Sequence, residues 1–378
     1  MPVRTRACEL NASLPNQDLP DFDRNINEDW TPMTGQHSTA DTTHPPISLA
    51  LIGAGIFMRD AHLPSLLKLR ADFNVAAVYS RTHEAAAALA AHLPAPVDLY
   101  TDLDALLARP DIAAVDIALP IQVQPDVLRR ALAAGKHVLS EKPIAPDHAR
   151  AQALMQLHAT QPGQVWMVGE NLRYESAYPT AAKLLRDGVI GPVRLCAWSV
   201  FAPMDARSKY YGTGWRRAGD FPGGLVLDGG VHHMAVLRLL MGEISHVAAM
   251  TQQLAPDLPP LDTLTATLRF AGGAQGVYTV SYALDGRAPR PVVITGDDGV
   301  MSVYRDQIRI RRGDGEETID CPKFDGVENE MRAWAAAIRT GVAHGNTPAA
   351  ALQDLRVVEA LLASAHARET VAVPAIDS

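Results

Sequence analysis

Asp228 and His232 are the residues whose types and spacing point most directly to proton chemistry. They stand four apart within Gly223-Gly224-Leu225-Val226-Leu227-Asp228-Gly229-Gly230-Val231-His232-His233-Met234, and so share a face if this segment is helical. A carboxylate beside an imidazole orients it and raises its pKa, which suits a general acid/base near neutral pH. The surrounding glycines leave room for a ligand to approach. An Asp/His metal pair is the competing reading, but no third ligand has a useful spacing, and no metal is expected. The plainest alternative has His232 only packing its helix; His233 reads as structural.

Lys142 offers a cation in a comparable setting. Ser140-Glu141-Lys142-Pro143 closes an apolar run that reads as the fifth parallel strand. In open α/β sheets ligands sit outside the carboxyl ends of the strands, which puts Lys142 beside a bound cofactor. The alternative is a surface lysine paired with Asp147.

Upstream, Gly53-Ala54-Gly55-Ile56-Phe57-Met58 follows the first strand and opens a helix. Gly53 permits the tight turn and Gly55 lets backbone approach a pyrophosphate. Ile56 and Phe57 begin the helix whose N-terminus would receive it. Met58 stands where a third small residue would allow close helix–strand packing. The second strand ends in Tyr79-Ser80-Arg81-Thr82 rather than in an acidic residue for a ribose 2′-hydroxyl. A hydroxyl and a guanidinium there suit a 2′-phosphate, so NADP is expected, with NAD as the alternative. The bland reading makes Arg81 a solvated residue at the start of the next helix. Arg173 and Tyr174, after Glu170-Asn171, are candidate substrate contacts, with a structural role as the alternative.

These residues need elements to hold them. Apolar runs at 47–52, 74–79, 113–119, 137–140 and 165–168 read as buried parallel strands. Helical patterns at 61–69, 84–92, 125–134 and 147–158 lie between them, implying βαβ crossovers. After about residue 170 a helix over 177–186 precedes strands at 193–201, 245–252, 261–270, 274–282, 291–295, 300–304 and 307–312, joined by short glycine turns. Two helices, 326–339 and 348–368, follow. The expected fold is α/β: a Rossmann doubly wound parallel sheet over 46–168, then an α+β domain over 169–378 with a large open, mostly antiparallel sheet. Residues 1–45, rich in Asn, Asp, Thr and Pro without periodicity, are expected to be a disordered tail.

Composition narrows the function. The 378 residues are 47% hydrophobic and 20% charged, enough apolar sequence for two cored domains. A net charge of −8 without a dense basic run disfavours nucleic acid and anionic membrane as partners. Three unpaired cysteines, no secretory pattern and no long uninterrupted apolar stretch lead to an expected cytoplasmic location.

Taken together, Gly53-Ala54-Gly55, His62-Leu63-Pro64, Glu141-Lys142-Pro143, Trp215-Arg216, the Gly223–His232 block and the closing Asp354-Leu355-Arg356-Val357-Val358-Glu359-Ala360-Leu361 resemble the glucose–fructose oxidoreductase / inositol dehydrogenase (Gfo/Idh/MocA) family. The likeness runs from about Ile47 to about Ala367. It implies a nicotinamide-dependent oxidoreductase that transfers hydride to or from a secondary hydroxyl or ketone of a sugar, cyclitol or polyol. It also implies a homo-oligomer built on the open sheet. Matched residue by residue, it makes Lys142 the catalytic lysine, His232 the proton-transferring histidine and Asp228 its acidic companion. Leu119, Pro120, Glu141, Trp215 and Arg216 fall near the cofactor. Leu119-Pro120-Ile121-Gln122 stands where many members have Thr-Pro-Asn, Gln124 where histidine is frequent and Ala235 where aspartate is. These departures bear on substrate identity more than on hydride chemistry. The family also holds a fungal galactose-pathway repressor, so a catalytically silent NADP-sensing regulator is the alternative; retention of Lys142, Asp228 and His232 favours an enzyme.

Overall fold

A computed structural model describes residues 44–288 and 290–375, so the expected tail lies, except for its last two residues, outside the described residues. The alternating first half forms a six-stranded parallel sheet in the order β3-β2-β1-β4-β5-β6. Its elements are β1 (Ile47–Ile52), α1 (Leu63–Lys68), β2 (Phe73–Tyr79), α2 (His83–Ala90), β3 (Asp98–Tyr100), α3 (Leu103–Leu107), β4 (Ala114–Ile117), α4 (Gln124–Ala133), β5 (His137–Glu141), α5 (His148–Ala159) and β6 (Trp166–Gly169). Helices cover both faces, which is why β4 and β6 are buried at every residue and, apart from Asp116, are made of apolar residues and glycine without alternation. Chain order reverses between β1 and β4, and this switch point opens at their carboxyl ends, where Gly53 and Ala118 lie. Local signals set the helix starts: Thr82 caps α2, Asp102 caps α3 and Asp147 caps α5, each accepting a first-turn backbone N–H.

The second half contains α6 (Ala177–Arg186), β7 (Val193–Phe201), α7 (Gly214–Arg217), α8 (Gly224–Met241), β8 (Ile244–Gln252), β9 (Thr263–Phe270), β10 (Gln275–Ser281), β11 (Val292–Gly296), β12 (Val300–Val303), β13 (Gln307–Arg312), β14 (Gly315–Asp320), α9 (Gly326–Thr340), α10 (Pro348–Ala367) and β15 (Val371–Ala372). Nine strands join in the order β14-β13-β12-β11-β7-β10-β9-β8-β15, antiparallel except for the β7–β10 pair. The strict alternation of buried and exposed residues along β9 shows one covered face and one open face. On the open face Leu195, Met250 and Val277 are more than half exposed.

Helix α8 packs against the covered face, with α6 and α10 beside it. By length and composition it is the one described helix able to cross a membrane, yet 78% of it is buried inside the fold, as befits a core helix. Helix α9 turns back to the first sheet: Trp334 stacks on Phe73 at 5.4 Å, and Val327 and Met331 join Leu49, Leu51 and Met58 in one core. The chain therefore returns to the Rossmann half after building most of the second sheet.

Candidate active site

The first glycine turn has the shape that a dinucleotide needs. Gly53 has φ +105°, and a Cβ there would lie 2.4 Å from the Ala118 carbonyl oxygen and 3.0 Å from the Leu119 side chain. Only glycine permits both that dihedral and that approach. At Gly55 the opposite holds: no atom lies within 4 Å of a would-be Cβ, so open space faces the turn. A pyrophosphate fits that cradle, beside the unpaired first N–H groups of the helix that follows. Ile56 and Phe57 lead into this helix, which begins as one π turn over Met58–His62 before α1. Met58 is fully buried in the core rather than at the turn's surface, which is how a large residue is accommodated here. Gly53 N donates to Tyr79 O at 3.0 Å and Ser80 N to Tyr100 O at 3.1 Å, so the end of β2, with Ser80 and Arg81 next in the chain, lies beside the turn. Arg81 is exposed and makes no hydrogen bond or ion pair among the described residues.

Lys142 leaves the carboxyl end of β5 and reaches α8. Its Nζ donates to the Asp228 carbonyl at 2.7 Å and to Asp228 Oδ1 at 2.9 Å. The other carboxylate oxygen accepts from Arg216 Nε at 3.0 Å. Burial alone would raise the Asp228 carboxyl, but the ammonium and the guanidinium outweigh it and bring it down to about 2. The Arg216 guanidinium carbon lies over the Trp215 ring, 4.1 Å from its centroid, and over the Tyr210 ring at 5.0 Å. Asp147, the alternative partner for Lys142, instead caps α5. Gln122 ties the loop after Pro120 to this region, donating to Asp220 Oδ1 at 2.6 Å and to Trp215 O at 3.5 Å.

One sequence expectation is corrected. Asp228 and His232 do lie one turn apart on α8, but Asp228 gives its carboxylate to two cations and not to the imidazole. His232 Nδ1 instead lies 2.5 Å from Glu170 Oε1, at the carboxyl end of β6. Helix periodicity brings i and i+4 to one face, but it cannot tell which side chain arrives from another element. Burial pushes Glu170 up, and the charges of His232, Arg173 and Lys142 more than offset this, leaving it below the usual carboxylate value. His233 points the other way, its Nδ1 2.6 Å from Tyr278 Oη, and burial lowers its pKa to about 3.

A second expectation is also corrected. Arg173 is buried, with its guanidinium bound by Asp354 at 2.5 Å and Asn346 at 3.4 Å. Asp354 also holds Arg238 on α8, so Arg173 belongs to a buried crosslink and presents no face to a substrate. Tyr174 is buried as well, its hydroxyl accepting from Gly345 N at 2.9 Å.

Beneath Lys142 lies a buried layer in which the sequence expectation places only Glu141, beside the cofactor; its carboxylate is instead taken up by His62 and the Lys142 N–H. His62 is fully buried between Asp116, at 2.8 Å from Nδ1, and Glu141, at 3.0 Å from Nε2. Burial pulls the imidazole down, yet the two carboxylates outweigh it and leave its pKa well above the ordinary value. Glu141 Oε2 also accepts from Lys142 N at 3.2 Å. Glu141 thus supports the backbone of the lysine, with its carboxylate directed inward. His62 and Glu141 both lay in motifs noticed in the sequence; Asp116, inside an apolar strand, was the remaining signal. No three His, Cys, Asp or Glu side chains among the described residues are grouped to hold a metal ion.

The chain resembles known proteins over both halves of the described fold. The profile of the "oxidoreductase family, NAD-binding Rossmann fold" matches residues 47–169, and that of the "oxidoreductase family, C-terminal alpha/beta domain" matches residues 182–373. Dehydrogenase FPY6 of Fusarium mangiferae is 35% identical over 84% of this chain and 96% of its own length. The dTDP-3,4-didehydro-2,6-dideoxy-alpha-D-glucose 3-reductase of Streptomyces violaceoruber is 30% identical over 77% of this chain and 87% of its own. Among solved structures, an oxidoreductase from Thermotoga maritima superimposes with a TM-score of 0.82 at 32% identity, covering 87% of this chain and 98% of that one.

Proposed function

Because the chain belongs to the Gfo/Idh/MocA oxidoreductase family, with its NAD-binding Rossmann domain and its C-terminal alpha/beta domain, we propose that it is an NAD(P)-dependent dehydrogenase or reductase of a sugar, cyclitol or related polyol. The reaction would interconvert a secondary hydroxyl and a ketone. A relative that reduces a deoxysugar nucleotide supports a carbohydrate-like substrate. The observation that carries the reading is the Lys142–Asp228 clamp, at 2.9 Å, between the carboxyl end of β5 and the helix that also bears His232.

The nicotinamide cofactor supplies the hydride acceptor or donor when bound. Gly53, Gly55, Ile56 and Phe57 would hold its pyrophosphate, with Leu119, Pro120, Trp215 and Arg216 bordering the same cleft. Ser80 and Arg81 would meet the adenosine ribose, and the unpaired Arg81 guanidinium favours a 2′-phosphate, hence NADP over NAD. Lys142 keeps a donor near the developing alkoxide and stabilises its charge. Asp228 holds that ammonium in place, and Arg216 shares the load on the carboxylate. His232 takes the hydroxyl proton in oxidation and returns it in reduction. The open face of the second sheet, with Leu195, Met250 and Val277 exposed, suits contact with a second copy of the chain.

The test is a binding titration of NADPH against NADH, then a screen of sugars, polyols and their keto forms with the tighter cofactor. Turnover is expected with at least one compound, falling about 10²–10⁴-fold in Lys142→Ala and in His232→Ala. Near-normal turnover in both variants overturns the assignment. Tight cofactor binding with no turnover on any compound supports the regulator instead.

A further inference from the structure

We infer that Glu170 is the positioning residue for His232: its carboxylate holds the proton on Nδ1 and so leaves Nε2 as the atom that exchanges a proton with substrate. The inference rests on the reading of His232 as the acid/base, and it adds a residue from β6 that the Asp228/His232 pattern does not contain.

The geometry allows one carboxylate for the imidazole. Asp228 is committed to Lys142 and Arg216, whereas Glu170 Oε1 lies 2.5 Å from Nδ1. A carboxylate can only accept at this distance, so Nδ1 must carry the hydrogen. In the neutral ring the other nitrogen then keeps its lone pair. The Glu170 side chain is 2% exposed and that of His232 is 23% exposed, so the carboxylate is closed off from solvent while the ring is not. When the substrate O–H bond breaks, its electron pair stays on oxygen and the proton forms a new N–H bond at Nε2. The resulting imidazolium faces an anion already in place, and the exposed edge lets the proton pass to solvent afterwards. In reduction the proton moves in the opposite direction.

Glu170 is itself held firmly. Its N–H donates to Val168 O at 2.7 Å, and its Oε1 accepts from Leu172 N at 3.4 Å. Its carbonyl accepts from Asn346 Nδ2 at 3.0 Å, and Asn346 in turn accepts from Val168 N at 3.0 Å and donates to Glu330 at 3.1 Å. These bonds fix the backbone from which the Glu170 side chain leaves, and the Leu172 N–H adds a donor to the same oxygen that meets Nδ1, as a positioning role requires.

The experiment compares the full-length wild type with Glu170→Gln, Glu170→Asp and His232→Ala. With glutamine the side chain carries no charge: its amide either donates to Nδ1, moving the ring hydrogen to Nε2, or accepts from Nδ1–H with no anion left to face the imidazolium, and both slow the proton transfer. Glu170→Gln is expected to lose about 10²–10⁴-fold in kcat, the range of general acid/base catalysis, with KM and cofactor Kd within about threefold. Glu170→Asp should recover at least tenfold of that loss. Long-range ¹⁵N–¹H spectra of the cofactor-free wild type should show His232 protonated at Nδ1. A kcat for Glu170→Gln within about threefold of wild type, while His232→Ala is inactive, overturns the role of Glu170 and leaves the base assignment standing. An active His232→Ala defeats the base assignment itself. If Glu170→Gln fails to fold, the wild-type spectrum decides: an Nε2–H ring overturns the inference.

Discussion

Asp228 is a carboxylate whose proposed part is to hold a cation rather than to move a proton. It sits between Lys142 and Arg216, buried, with its carboxyl held at about 2. Its folded value lies below that of an unfolded aspartate, near 3.9, so the stabilisation is fully present above about pH 4 and is lost as the pH falls through about 2. A shift of this size corresponds to roughly 2–3 kcal/mol at neutral pH. Asp228→Asn should therefore lower the melting temperature at pH 7, cut kcat at least tenfold by freeing Lys142, and lie closer to wild type as melts are repeated toward pH 3. A melting difference that does not change with pH contradicts this account. At the residue scale the sequence revealed the participants better than their pairing. Lys142, Asp228 and His232 stood out by type and motif. Glu170 did not, because its partner is 62 residues away and reaches it only through the end of β6. The usable signal was its place beyond a parallel strand's carboxyl end, where ligand-facing residues gather.

Helix α8 carries the site, and its glycines do different work. A Cβ on Gly229 would lie 1.7 Å from Tyr282 Oη and 2.8 Å from its Cζ, and the Tyr282 ring is buried. On Gly230 the nearest atom is Val358 Cγ2 at 3.4 Å, an ordinary contact. Gly229→Ala should displace Tyr282 or tilt the helix between Asp228 and His232, lowering both melting temperature and kcat. Gly230→Ala should keep activity and, through better helix propensity, gain up to about 1 kcal/mol. Equal behaviour of the two variants in thermal melts and initial-rate assays would count against this packing. Elements with strong apolar patterns were legible in sequence: the helix over 177–186 is α6 to the residue, and β13 spans the expected 307–312. Others were not. Strand β14, Gly-Glu-Glu-Thr-Ile-Asp, is an exposed edge strand without a buried face, so it lacks the alternation that marks a strand. Strand β3 has only three residues and α3 five, too few to show a period.

Across the whole of the described fold, the site exists because two halves meet. β5 supplies Lys142, β6 supplies Glu170, and α8 supplies Asp228 and His232. Lys209 Nζ reaches Asp60 at 2.7 Å and Gln122 reaches Asp220 at 2.6 Å, so the segment before α8 is tied to the Rossmann half at two points. Helix α9 adds a third link through Trp334 and Phe73. The parallel sheet followed by an antiparallel one could be read from the change in texture after residue 170, since helices between strands enforce crossovers and short glycine turns do not. The return of α9 could not, because periodicity shows that a face is apolar without showing what covers it. The account as a whole stands on hydride exchange in the cleft between Lys142 and His232. Its most direct measurement uses reduced nicotinamide cofactor carrying two deuterium atoms at C4 with a panel of keto-sugars and keto-polyols, followed by mass spectrometry of the products. At least one product should carry a single deuterium at the new carbinol carbon, and Lys142→Ala and His232→Ala should each slow its appearance by about 10²–10⁴-fold. Cofactor binding without deuterium in any product would contradict the account.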